Sequence, residues 1–310
     1  MWHAFGFFTA VFVFAITAAF SLGDGPTASA LVPWTATILV LIAVGLFRIL
    51  LTAAFGSIQL GATLRAVAGH GVQVIDGVYP RPFDPTAPTE PAGPLPPTLA
   101  EVHWPHPGAT LQRIDVATLI QSAARTDCVV EFRVGVGHLV RQGRAVATVH
   151  GNGPNALSPT EVLDCVVTGP ERTFDQDPAL AIRVLVDIGL RALSPAVNDP
   201  TSAVQALDAI QACLELLAAR DLEVARIAGI QGQERLRLVL PSWPEYVGLA
   251  FDELLVAGPS ALQLTRRLVA VLNELAAAFP SARRPPIERR LEQATNVLHR
   301  AFPDEAGTMR

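Results

Sequence analysis

The chain contains no lysine, so every one of its 23 basic residues is arginine. That absence removes Schiff-base catalysis, the P-loop lysine and covalent biotinyl or lipoyl attachment. Charge is also scarce, at 16% of 310 residues, against roughly 25% in ordinary soluble domains. The formal net charge of −5 gives no basic balance of the kind that draws a protein to nucleic acid. Cysteine is rare: Cys128, Cys165 and Cys213 are odd in number, widely spaced and without a CxxC pair. This argues against a disulfide framework or a structural zinc site and fits buried thiols in a reducing compartment. No HExxH, GxSxG, Walker or complete GxGxxG pattern occurs. The closest histidines, His103 and His106, are separated by Pro105, which prevents a regular helical pair. No nucleophile is identified with its base. The sequence therefore leans away from an enzyme, and neither a cofactor nor a metal site is expected.

What the chain has in abundance is apolar sequence, 50% of its residues. Residues 4–22 are uncharged and rich in Phe, Ala and Val. At 1.5 Å per residue they make about 28 Å of helix, close to the ~30 Å bilayer core. A signal peptide would have a basic leader and a shorter apolar run. A second apolar stretch spans 30–55 with Arg48 as its one charge, after a short turn at 23–29 that carries no basic residue. Arg48, Arg65 and Arg81 then place the remainder of the chain on the cytoplasmic side, and Trp34 suits an outer interface. The expectation is an α-helical membrane hairpin over 1–56 in a multi-pass protein of the plasma (inner) membrane. Both termini and the main domain would be cytoplasmic.

Residues 57–79 read as a stalk helix weakened by Gly61, Gly69, Gly71 and Gly77. The stretch 80–98 is a proline-rich linker, too proline-dense for helix or sheet interior. Residues 99–168 read as a small α/β subdomain. Asp115 is placed to cap a short amphipathic helix over 115–124. Segments 128–134, 139–140 and 144–149 then form a hairpin-like unit around a glycine-rich turn. Its run of Val, Gly and His is similar in shape to the barrel-sandwich module of biotinyl and lipoyl carriers. Residues 169–303 form a helical cytosolic domain, with a tail at 304–310. The cytosolic part is thus a mainly helical α+β domain with a small β-hairpin or barrel-sandwich-like element.

Within the helical part, Asp177-Pro178 opens a helix to about Leu193 that is apolar on nearly all sides. Arg183, Asp187 and Arg191 interrupt it at i, i+4 and i+8, as one narrow stripe. Buried charge must be paired, so the stripe is either an ion-pair ladder or the lining of a polar site. Ser194-Pro195 ends the helix, and Asp199-Pro200 starts the next. Ser194, Asn198, Asp199, Thr201 and Ser202 in this corner are what helix capping demands. The same residues beside Arg191 would also suit an anion or carboxylate. Glu171, Arg172, Asp175 and Asp177 form a secondary cluster where a helix N-terminus favours acidic groups.

The run from Asp187 through Arg191, Ser194, Asn198 and Asp199 to Ala203 resembles the signature of a bacterial predicted-membrane-protein family, domain of unknown function 2254. Glu171–Pro178 matches the block upstream of it, and Phe55–Gln59, Leu111–Asp115 and Gly137–Val149 fall in the expected order. Members carry four predicted spans, and this chain begins at what corresponds to the third, as in a short or N-terminally truncated member. The resemblance implies architecture and candidate residues rather than a reaction. The functional expectation is an oligomeric, channel- or transporter-like membrane assembly with a cytosolic sensing or gating domain. Two alternatives are a membrane-anchored ligand-binding domain or enzyme using the stripe and corner, and a scaffold subunit. The expected partners are the lipid bilayer, further copies of the chain and a further membrane subunit, with no nucleic acid.

Overall fold

The structure, a computed structural model, describes residues 10–17, 31–57, 60–87, 93–153, 156–230 and 232–303, with backbone alone at 31–33, 48–57 and 60. The chain divides into two compact units, residues 1–62 and 63–310.

In the first unit, helix α1 is described over residues 10–17, and α2 is Leu31–Ser57. Large side chains point outward: Phe12 is 66% exposed, Trp34 68% and Leu41 66%. A shallow apolar groove of about 560 Å³ runs between the two helices, lined by Val11, Phe12, Ala15, Val40, Ala43, Val44 and Phe47. Among the described residues no helix is long and apolar enough to cross a membrane, and this corrects the expected membrane hairpin. A span needs about 20 consecutive apolar residues. The eight described residues of α1 make only ~12 Å of helix, and the side chains described in α2, over 34–47, cover ~21 Å. The rest of the first expected span and the turn at 23–29 lie outside the described residues.

The second unit is mixed α+β. Helix α3 (Leu60–Val78) enters it and buries Leu64, Val74 and Ile75. Gly71 allows a close approach: a Cβ there would lie 2.7 Å from Ala181 Cβ and 3.4 Å from Cys213 Sγ. The chain then continues along the same helical layer. Phe83 N–H donates to Ala219 O at 2.9 Å, and the Arg283 guanidinium stands 4.4 Å over the Phe83 ring.

The β layer holds β1 (Thr98–His103), β2 (Ala109–Ile114), β3 (Cys128–Phe132), β4 (Leu139–Val140), β5 (Ala145–Gly151), β6 (Val166–Gly169), β7 (Arg226–Ala228) and β8 (Glu234–Arg237). Helix α4 (Val116–Arg125) and short α5 (Pro159–Asp164) lie between them. One sheet has the order β1-β5-β3-β8-β7, the other β4-β2-β6. Their apolar faces share one core: Val102, Val130, Phe132 and Val149 come from the first sheet, Leu111, Ile114 and Val140 from the second. The expected single hairpin unit is therefore corrected. Strand β4 pairs with β2, whereas β3 and β5 pair with each other in the larger sheet. The chain turns sharply at both ends of β4, at Gly137 (φ 85°) and Gly143 (φ 73°), and so passes from one sheet to the other and back. β8 joins β3 in parallel from about 100 residues downstream, with Val130 opposite Leu236.

The helical layer contains α6 (Pro178–Ala192), α7 (Pro200–Ala218), α8 (Trp243–Ala257), α9 (Leu262–Ala278) and α10 (Arg284–Ala301). Asp177 and Asp199 cap α6 and α7 through their side chains, each with proline in the first turn, where a missing N–H costs nothing. Ser242 and Glu245 form a capping box on α8. α6 buries Leu180, Ile182, Leu185 and Val186 against α7 and α8.

Candidate functional site

The charged stripe lies at the solvent edge of α6. Arg183 Nε donates to Asp187 Oδ1 at 3.0 Å, and its Nη2 donates to Glu253 Oε2 of α8 at 3.2 Å. These two carboxylates hold the Arg183 guanidinium above its ordinary value, and Arg183 holds Glu253 below the usual carboxylate range. Asp187 and Glu253 are 53% and 52% exposed. Solvent screening leaves such pairs about 0–1 kcal/mol. One turn on, Arg191 is exposed, and its guanidinium has no ion-pair partner among the described residues.

In the corner, Ser194 Oγ donates to Arg191 O at 2.7 Å, and Ser194 O accepts from Asn198 N at 2.8 Å. Asn198 sits in the left-handed region (φ 48°), which its short polar side chain tolerates. The Asp199 carboxylate turns into its own helix: Oδ1 accepts from Ser202 N at 3.1 Å and Oδ2 from the Ser202 hydroxyl. These bonds, the hydroxyl's first, hold Asp199 below the ordinary Asp value. Thr201 faces solvent.

The upstream block goes deeper. Arg172 grips Asp177 in a two-point pair, Nε to Oδ2 at 2.7 Å and Nη2 to Oδ1 at 2.9 Å, while Asp177 Oδ1 also accepts from Leu180 N at 3.2 Å. Asp177 is only 3% exposed. Gly137 packs directly on this pair: a Cβ there would stand 2.2 Å from Asp177 Oδ2 and 2.9 Å from Arg172 Nε. Tyr79 and Tyr246, both fully buried, share a hydrogen bond of 2.9 Å between their hydroxyls. Burial pushes Tyr79 up to about 12, against the opposite pull of the Tyr246 bond, and burial also drives Tyr246 well above its ordinary value. The Asp177 charge adds to both rises. Gln176 imitates a strand residue, its amide accepting from Ile114 N at 2.8 Å and donating to Ile114 O at 3.0 Å. Glu171 is exposed, and its carbonyl takes the Gln112 amide at 2.7 Å. Asp175 is exposed, with the Thr173 hydroxyl 3.3 Å from Oδ2.

Beside this block opens a groove of about 660 Å³. Asp175 and Gln176 form part of its wall, with Val78 at the end of α3, Pro80 and Arg81 just beyond it, Val116 of α4, Val136, strand β7 and the segment after β8. The groove thus gathers Asp175 of the expected secondary cluster with residues that sequence reasoning did not single out as a site, namely Arg81, Arg226 and Ile227. It does not include the stripe or the corner. Tyr79, Tyr246, Gly137 and Glu253 were also missed. Gly137 alone carried a local signal, a glycine-bounded turn. Among the described residues no group of three or more His, Cys, Asp or Glu side chains could hold a metal. The three cysteines are buried thiols, and burial raises Cys213 to about 11.

The chain is 29% identical over 262 residues to the uncharacterized protein Rv1290c of Mycobacterium tuberculosis and, to the same extent, to the uncharacterized protein Mb1321c of Mycobacterium bovis. The match covers 81% of this chain and 49% of each relative, so the chain spans about half the length of the curated relatives it matches. No solved structure matches it. The model of one family, described as "Predicted membrane protein (DUF2254)", matches residues 1–274. The chain belongs to that family of predicted membrane proteins.

Proposed function

We propose that this protein is a membrane-associated subunit that assembles with further copies of itself through its N-terminal unit. Residues 63–310 would form a ligand-responsive or gating domain at the cytoplasmic face of the inner membrane. The observation that carries the reading is the apolar surface of the N-terminal unit, where Phe12, Trp34, Leu41, Val44 and Phe47 are each more than half exposed. Apolar surface on that scale calls for cover by lipid or by protein. Conduction or transport across the membrane is the class of activity such an assembly serves. A second reading, a membrane-anchored ligand-binding domain, is favoured by the 660 Å³ groove, whose size and mostly apolar wall suit a small molecule. The stripe and corner around Arg191 then serve as a polar surface for a neighbouring subunit or ligand.

The test is the protein-only mass of the full chain in lipid nanodiscs by light scattering, combined with ion flux in liposomes. A defined oligomer that loses subunits in Leu41→Arg supports the assembly. A monomer in the bilayer sinks a self-formed pore and leaves the anchored binding domain. Absence of the chain from the membrane fraction sinks both.

A further inference from the structure

We infer that His150 is a proton-dependent latch for the proline-rich segment 93–97. The imidazole holds that segment on the five-stranded sheet when it carries a second ring proton, and loosens its hold without one. Val129 pairs with His150 and Glu131 with Thr148, so these four side chains share one face of the sheet. Val130 and Val149 point the other way, into the shared core. Pro94, Pro96 and Pro97 have no N–H to offer a strand, and the segment is fastened through its carbonyls. Pro97 O accepts from Gly151 N at 3.0 Å, Pro96 O lies 3.1 Å from His150 Nδ1, and Gly93 O accepts from Arg237 Nη2 at 3.5 Å. One of these three fastenings is an imidazole, the side chain that ordinarily changes charge between about pH 5 and 8.

The ring geometry fixes the sign. A carbonyl only accepts, so Nδ1 carries a hydrogen in the latched state. His150 is 7% exposed, and its Nε2 is buried without a hydrogen-bond partner among the described residues. Glu131 Oε2 stands 3.4 Å from that nitrogen. In the neutral imidazole Nε2 therefore turns a lone pair toward a carboxylate, two acceptors with no hydrogen between them, which burial makes costly. A second ring proton converts the same contact into a charge-assisted donor and acceptor. The latched state takes up a proton, and the latch tightens as pH falls. The other charges on this face meet one another. Glu131 Oε1 lies 3.7 Å from Arg237 Nη1 of β8, and Arg237 also pairs with Glu234. Thr98 of β1 and Val129 of β3, opposite His150, carry no charge. Further along, Arg133 Nη2 stands 3.9 Å from Glu101 Oε1, and half-exposed His103 is 3.6 Å from Glu101 Oε2. Asp127, before β3, pairs with Arg235. The segment 93–97 has no titratable side chain of its own. His150 and Glu131 are thus the pair that shares the proton.

The test is hydrogen–deuterium exchange of the full chain in phosphatidylcholine nanodiscs at about pH 5.5 and about pH 8, read as protection relative to the intrinsic rate at each pH. The reporter is the Gly151 amide, bonded to Pro97 O, and the amides of β3 report opening of the sheet as a whole. Protection of Gly151 should be at least about tenfold greater at the lower pH, as for a hydrogen bond to a charged group. Glu131→Gln separates a latch from a merely structural contact. Its side-chain amide gives the neutral Nε2 a donor, so protection at the higher pH should rise to that of the native chain at the lower one, and the pH response should vanish. His150→Asn keeps a donor for Pro96 O but takes up no proton, so its protection should be independent of pH; it is the second variant should the first fail to fold. Equal protection at both pH values in the native chain, greater protection at the higher pH, or a response shared equally by the β3 amides overturns the latch. So does a pH response that survives in either variant, or a loss of protection at both pH values in Glu131→Gln.

Discussion

One added methyl group at Gly137 would strike a carboxylate oxygen already held in a buried ion pair. The position has φ 85°, and a Cβ would sit 2.2 Å from a carboxylate oxygen that Arg172 already holds. Gly137→Ala should therefore cost about 3 kcal/mol, combining left-handed backbone strain with displacement of a buried ion pair, read as a lowered melting temperature. The tyrosine pair gives a second prediction. In Tyr79→Phe the Tyr246 hydroxyl is left buried without its partner, at a cost of about 1–2 kcal/mol. The double Phe variant should lose less than the sum of the singles. The pair also sets an alkaline limit. Tyr79 in the folded protein is raised to about 12 from 10, so the folded state favours the neutral phenol. For Tyr79 that stabilisation is complete below pH ~10 and is lost as pH rises through 12, by about 2–3 kcal/mol. A pH series of thermal melts should show this decline in the native sequence and a shallower one in the double variant, in which the buried Cys213 thiol, raised to about 11, still titrates. Nothing in the sequence joined these residues, because Tyr79 and Tyr246 lie 167 positions apart. The Gly137 turn was legible, but its contact with Asp177 was not.

Helix starts were the legible elements. Asp-Pro at 177–178 and at 199–200 encodes a cap and a first turn within a few residues, and both helices begin there. Because the Asp199 carboxylate serves its own helix, Asp199→Ala should destabilise by about 1 kcal/mol and Asp199→Asn by much less, since asparagine caps equally well. Arg183→Gln should cost under about 1 kcal/mol, as both of its carboxylate partners are half exposed. Urea midpoints of the three variants would check the order, and a larger loss in Arg183→Gln would contradict the placement of the stripe at the solvent edge. Strands were less legible. β6 and β7 have four and three residues and no clear alternation, and their pairing depends on partners far away in sequence. The short β4 read as part of a local hairpin because adjacency in sequence suggests adjacency in a sheet. The glycines flanking it send it to the other sheet.

At the scale of the whole molecule, the expected boundary between an α/β part and a helical part is crossed by β8. Its Leu236, fully buried, lies opposite Val130 in the shared core. Leu236→Ala should cost about 2–4 kcal/mol. It should lower one common unfolding transition for residues 63–310, observed by calorimetry, rather than split off a β transition. The composition made the apolar N-terminal unit plain from the start. What it could not convey is that the helices described there present their large side chains outward, because hydrophobicity alone does not say what covers it. The parallel partnership of β3 with β8 also has a consequence in time. About 100 residues separate the two strands, and synthesis adds about 5–20 residues each second. For roughly 5–20 s on every ribosome, β3 waits for a neighbour not yet made, and it is in that interval that a chaperone would find this chain.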